Sequence, residues 1–198
     1  MKKRCVLSAV VVLTLLAAWI WRYTTLNSYY EELSNMRKEV FSIHERVPFG
    51  EDYLDKDSRA NGYWICVDEF EIVDYQEFIQ EKAIILDEQD KLPEKLALVY
   101  ITLSNTNSID PGIMLVELDL HGIDSVASMD WDILTAINPV LEGNYGVSLK
   151  ENSELKLTLP FGLNAALYSD ETWNNLDRYN FYLRITNFPT VKDICVTE

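Results

Sequence analysis

His44 and His121 are the only two histidines in the chain, so imidazole chemistry has two places to occur. His121 stands close in sequence to Asp119, Asp124, Asp130 and Asp132. A histidine with several carboxylates is a donor set for zinc or another divalent cation. The strand pattern around Asp119 and His121 nevertheless turns both outward, where a histidine is simply hydrated, and no metal or cofactor is expected. Asp87-Glu88-Gln89-Asp90 offers oxygen atoms for weak calcium binding, but it lacks the spacing, the glycine and the closing glutamate of an EF-hand loop. Nucleophilic catalysis needs a serine or cysteine, a base and an orienting group. Two histidines and no nucleophile-elbow or papain-like sequence leave no triad. Seven glycines in 198 residues leave little room for a phosphate-cradling loop. Two carboxylates alone suffice for glycoside hydrolysis, and 32 acidic residues supply too many pairs to choose among.

Aromatic and sulfur side chains are the remaining candidates. Trp64, Trp131 and Trp173, with Tyr63, Tyr145, Tyr168 and Tyr182, could stack on sugar rings or anchor a protein partner. Trp64 and Tyr182 are out of phase with the core residues of their strands, which makes them the candidates for an exposed aromatic patch. Trp131 and Trp173 lie in short irregular segments and are expected to plug the ends of the domain. Cys66 and Cys195 share an Ile-Cys-Val context near the first and last strands. Outward-facing cysteines on neighbouring terminal strands would form a disulfide in an oxidising compartment. The alternative is two unpaired small residues.

The N-terminus decides where these groups stand. Lys2, Lys3 and Arg4 precede an apolar run from Cys5 to Trp21, and Arg22 closes it. Such a run is a secretory signal or a membrane span, and either one exports the rest of the chain. Ala17-Ala18 followed by Trp19-Ile20-Trp21 is a poor signal-peptidase site. Cys5 to Tyr23 reaches the roughly 17–25 residues that a spanning helix needs. Trp19, Trp21 and Tyr23 would form the outer aromatic belt, with the basic residues inside. Residues 1–23 therefore read as an uncleaved anchor, N-terminus cytoplasmic and C-terminal domain extracellular, with a cleaved signal as the alternative. The chain has 17 basic and 32 acidic residues, and four of the basic ones belong to the anchor. The remainder carries 13 against 32, a net of −19. Such a charge disfavours nucleic acid and anionic lipid. It serves solubility, or else presents an acidic face for a cationic partner or a divalent metal.

Residues 24–45 read as a helical juxtamembrane stalk. Leu26, Tyr29, Leu33, Met36, Val40 and Ile43 follow a–d spacing, which would allow a weak homodimer or a monomeric stalk. From residue 46 to 198 the period changes to two. Tyr63, Ile65 and Val67 share a face; the phase slips at Asp68-Glu69, the mark of a β-bulge, and Phe70 and Ile72 continue it. Tyr75 to Lys82 suits a helical turn. Leu96 to Asn105 is apolar on both faces and reads as a central strand. Met114, Val116, Leu118 and Leu120 alternate with polar residues, as do Leu155, Leu157, Leu159 and Phe161, then Tyr179, Phe181, Leu183 and Ile185. Val191 to Val196 closes the domain. About seven strands with turn signals between them specify a β-sandwich.

Gly62-Tyr63-Trp64-Ile65, Phe70-Glu71-Ile72-Val73-Asp74-Tyr75, Leu98 to Asn105 and Phe188-Pro189-Thr190-Val191-Lys192 carry a resemblance. From about residue 46 onward the chain resembles uncharacterised, membrane-anchored proteins of Gram-positive, Clostridia-type bacteria. Their exported domain is similar to the telokin-like immunoglobulin fold. The resemblance implies a mostly β, immunoglobulin-like sandwich and brings no catalytic or binding residues with it. The expected function is a non-catalytic cell-surface binding module whose partner is a protein or small ligand at the envelope. The alternatives are a carbohydrate-binding module, which needs two coplanar aromatics on one sheet face, and a metal- or carboxylate-dependent hydrolase, which needs a cleft where acids converge.

Overall fold

The computed structural model describes residues 12–25, 36–54, 60–85, 92–106, 112–122 and 125–197. The chain divides into two compact units, Met1–Arg37 and Lys38–Glu198. In the first unit, residues 12–25 form helix α1. Trp19 and Tyr23 stack one turn apart at 5.4 Å, and the Thr25 hydroxyl donates to the Trp21 carbonyl at 2.8 Å. No helix among the described residues is long and apolar enough to cross a membrane. Residues 1–11, which open the expected anchor, lie outside the described residues, as do Leu26, Tyr29 and Leu33 of the stalk.

The second unit is mostly β. Its strands are β1 (Arg37–Phe41), β2 (Val47–Pro48), β3 (Tyr63–Asp74), β4 (Lys95–Asn105), β5 (Ile113–Met114), β6 (Asp119–His121), β7 (Val126–Ala127), β8 (Gly146–Val147), β9 (Ser153–Leu163), β10 (Tyr182–Thr186) and β11 (Thr190–Cys195). Helices α2 (Tyr75–Lys82), α3 (Trp131–Ile137) and α4 (Asp170–Trp173) interrupt them. One sheet runs β1-β11-β10-β6-β7, a second runs β2-β3-β4-β9, and β5 pairs with β8. Alternation turns Ile65 and Val67 of β3, Ile101 and Leu103 of β4, and Leu157 and Leu159 of β9 into one core. That core also holds Leu120, Leu183, Ile185 and Ile194 from the other sheet. Two sheets sharing a core are consistent with the expected sandwich.

The bulge stands where the phase slip placed it. Val67 pairs with Ile101 and Glu69 with Tyr100, leaving Asp68 as the extra residue. β4 is central, between β3 and β9. Its outward residues Leu96 and Leu98 are covered by Tyr75 and Phe78 of α2 and Ile133 of α3, which explains its two apolar faces. The Asp74 carboxylate caps α2 by accepting from the Gln76 and Glu77 amides. Asp130 caps α3 and also accepts from the Tyr75 hydroxyl at 3.2 Å, locking the two helices together.

Two expectations need correction. Residues 37–41, read as the end of the stalk helix, form β1, so the domain begins at Lys38 rather than near residue 46. Of the a–d residues read there, Val40 falls within β1, which pairs with β11 at the edge of its sheet, and Ile43 lies just beyond the strand. The strand expected from Met114 onward is broken by a 3₁₀ turn at Leu115–Glu117. Ile113 and Leu115 are buried, while Met114 and Val116 are exposed. The run Ile113-Met114-Leu115-Val116 is apolar in both parities, so alternation could not choose between them. The turn comes after Gly112 (φ +117), where a Cβ would lie 2.0 Å from the Val147 carbonyl oxygen.

Candidate functional site

A cleft of about 580 Å³ opens where β3 runs past the end of β2. β2 pairs only with Trp64 and Ile65, and the His44 amide then donates to the Val67 carbonyl at 2.9 Å. Asp68 is the extra residue of the bulge, and no β2 residue pairs with β3 beyond Ile65. The floor of the cleft is apolar, formed by Ile43, Phe70, Ile72 and Val196. Its rim carries Asp68, Glu69, Glu71 and Asp177, with His44 and Thr197 at the ends. No lysine or arginine lines it among the described residues. Phe70 is held against Phe181, the residue just before β10, at 5.6 Å.

Two rim carboxylates are fixed by β4. The Thr102 hydroxyl donates to Asp68 at 2.6 Å, and the Tyr100 hydroxyl donates to Glu71. Burial, and then the hydrogen bond to Glu71, hold the Tyr100 hydroxyl well above its ordinary pKa, so it stays a donor at neutral pH. On the other side of the bulge a hollow of about 350 Å³ shares Asp68 and Glu69, and it includes Tyr100, Asn138 and Lys156.

A family model described as a domain of unknown function (DUF5028) matches residues 38–192. The chain belongs to that family. The matched segment runs from the second residue of β1 to the middle of β11, so most of both sheets and of the cleft belongs to the DUF5028 domain. No curated protein and no solved structure matches the chain.

Within the DUF5028 domain the predicted site residues are not brought together. Trp64 lies on the outer face of the four-stranded sheet. Its ring sits 5.0 Å from the Arg46 guanidinium, and its indole N–H donates to the Thr106 hydroxyl at 3.3 Å. Tyr182 lies on the outer face of the other sheet, with Lys38 Nζ 5.9 Å from its ring. Both are half-buried and both face outward, as their phase required. Outward means opposite directions on the two sheets, however, so they do not form one patch. The same geometry removes the disulfide. Cys66 is outward on β3 and Cys195 outward on β11, and both are free thiols. Packed sheets stand about 10 Å apart, and cysteines pointing away from each other across that distance cannot bond. Burial, and then the Asp68 charge, raise the Cys66 thiol pKa.

His121 is half-buried on the outward face of β6, opposite Tyr182. Its Nε2 is buried without a hydrogen-bond partner among the described residues. Burial, and then Arg184, lower its pKa, while Asp193 and Asp119 pull the other way. Asp130 belongs instead to the α2–α3 side of the domain. Asp124 and the Asp87–Asp90 run lie outside the described residues. Among the described residues no three of His, Cys, Asp and Glu converge as a metal-ligand set.

The sequence pattern also missed two buried ions. Lys192 Nζ donates to the Pro48 and Phe49 carbonyls at 2.8 and 3.0 Å and pairs with Asp52 at 2.7 Å. Asp193 is buried and accepts both Arg184 Nε (2.8 Å) and Nη2 (3.1 Å), with Lys38 at 3.0 Å. Burial alone would raise the Asp193 pKa, but the hydrogen bonds from Arg184 and Lys38 hold it below the usual carboxylate value. A charged pair inside Val191-Lys192-Asp193-Ile194 was the available signal.

Proposed function

We propose that this chain is a non-catalytic binding module, tethered to the membrane by its N-terminal segment and displayed at the cell surface, that holds a cationic partner in the cleft at the β3 bulge. The observation that carries this reading is the cleft's lining: four carboxylates around an apolar floor, with no lysine or arginine among the described residues. The net of −19 beyond the N-terminal segment would steer the same partner toward the domain. In this proposal the paired sheets form an immunoglobulin-like, telokin-like sandwich of a Gram-positive surface protein. The sugar-binding alternative loses its footing, because Trp64 and Tyr182 stand on different sheets. The carboxylate-hydrolase alternative is favoured by one observation, the four acids that line the cleft. It ranks second because Asp68 and Glu71 are already engaged by hydroxyl donors of β4.

The test is calorimetric titration of the full chain with oligolysine. The wild type is compared with Glu69→Gln/Asp177→Asn and with Glu151→Gln/Glu154→Gln, which removes two charges away from the cleft. Each exposed pair contributes modestly, so the cleft variant should weaken binding about fivefold and the distal variant much less. Equal weakening by both variants would reduce the effect to net charge and sink the cleft reading. Release of product from labelled oligosaccharides, abolished by Glu69→Gln, would promote the hydrolase instead.

A further inference from the structure

A sheet edge presents unpaired N–H and C=O groups, and folded proteins cover or blunt them. In the four-stranded sheet, one edge is closed along Thr158 to Gly162 of β9. Along β9 the Asn138 side chain bonds both the Thr158 amide (2.9 Å) and the Thr158 carbonyl (2.8 Å). The Asp130 amide donates to the Pro160 carbonyl at 2.8 Å, and the Gly162 amide to the Ser128 carbonyl at 2.9 Å. The opposite edge is closed only in part. The Phe49 amide donates to the Tyr63 carbonyl at 3.1 Å, β2 covers Ile65, and the His44 amide reaches the Val67 carbonyl. Past the bulge no strand among the described residues pairs with that edge of β3.

The register says which backbone groups are left over. The Val67 carbonyl points to the edge, so Cys66 faces β4 and pairs there with Thr102. Counting in twos along β4, Tyr100 and Leu98 also face β3, and their partners are Glu69 and Glu71. The N–H and C=O of Phe70 and Ile72 therefore point away from β4, into the cleft. The cleft, its carboxylates and this open edge occupy one place in the fold.

We infer that the edge of β3 from Phe70 to Ile72 takes up an extended cationic segment of a protein partner as an additional strand. An added strand places alternate side chains on opposite faces. On the outer face they would lie beside Glu69 and Glu71, which favours lysine or arginine. On the inner face they would lie over Ile43, Phe70 and Val196, which favours apolar side chains. The partner is thus a segment of alternating cationic and apolar residues, bound through main-chain hydrogen bonds with charge setting its identity. The inference rests on the binding-module reading and specifies its mode.

The experiment uses the full chain and a peptide of about eight residues alternating lysine and valine. Amide hydrogen exchange at Phe70 and Ile72 is monitored during the titration. The same peptide, N-methylated at alternate residues to remove its donors, is the comparison. Strand addition predicts slowed exchange at both amides and binding about tenfold weaker after N-methylation. Ile72→Pro, which deletes one cleft-facing N–H at a position where an edge strand tolerates proline, should weaken binding similarly. The N-methylated peptide keeps the test independent of how that variant folds. Binding with unchanged exchange and no effect of N-methylation would overturn strand addition and leave the binding module standing. If neither this peptide nor oligolysine binds, both fall. Protection that grows with protein concentration in the absence of peptide would assign the edge to a second copy of the chain and overturn the inference.

Discussion

Replacing Lys192 by methionine removes one charge from a site that is nearly closed to water. The lysine side chain is 7% exposed and its partner Asp52 14%. An ammonium has three donors, and all three are used, on the Pro48 and Phe49 carbonyls and on Asp52. Methionine keeps the length of the stem, so little packing is lost. The variant is left with two carbonyls without their charged donor and a carboxylate without its cation. Asp52 also accepts the Thr190 amide at 3.1 Å, so it cannot simply swing out without giving that up. Losing one member of a buried pair costs about 3–5 kcal/mol. In a domain of this size, about 4 kcal/mol corresponds to a fall in Tm of roughly 8–16 °C. Urea unfolding of the full chain, monitored by tryptophan fluorescence, measures the change directly, with m expected to stay constant. The double variant Lys192→Met/Asp52→Leu leaves no unpaired ion and should recover part of the loss. A single-variant loss under about 1 kcal/mol would refute the reasoning, because it would mean that water reaches the site freely.

His121 and the two cysteines give further outcomes. The folded pKa of His121 is depressed, so the unfolded chain binds the proton more readily. Its contribution is complete above about pH 6.5 and is lost as pH falls through the folded value. The groups facing it are Arg184, Asp193, Asp119 and Lys38. The wild-type urea midpoint should therefore drop between about pH 7.5 and 5.5, and that of His121→Gln should drop less. Asp193 does not interfere in this window, since its depressed pKa confines its own loss to pH below about 3.9. Cys66 and Cys195 should both be alkylated in unreduced, denatured protein. In the native state Cys66 should react more slowly than a free thiol at neutral pH, because its pKa is raised. A Cys66–Cys195 cross-linked peptide in the mass spectrum would contradict their placement on opposite faces.

Much of the local structure was legible because it depends on neighbours in sequence. The phase slip at Asp68-Glu69 announced the bulge, and the double apolar face of Leu96 to Asn105 announced a central strand. The Tyr75–Lys82 segment is a helix with an aspartate at its cap. Where both parities were apolar, as at Ile113 to Val116, the pattern could not choose and the inward set was misassigned. The candidate site was less legible. Half of it, Asp68 to Ile72, sits on one strand and could be pointed at. The other half, Asp177, Val196 and Thr197, comes from the far end of the chain with nothing local to mark it.

Side-chain alternation settles on its own whether a residue faces the core or the solvent, since Cβ atoms point to opposite faces in turn. That is why Trp64, Cys66, Tyr182 and Cys195 all stand out of phase with the core residues of their strands. Composition likewise settled the acidic character of the domain and its count of two histidines. Which sheet each strand joins is a matter of long-range pairing, and alternation carries no information about it. Only the tertiary structure separated those two pairs onto opposite faces and buried Lys192 and Asp193 among their partners. It also stopped β2 after Ile65, and so opened the edge of β3 beside four carboxylates.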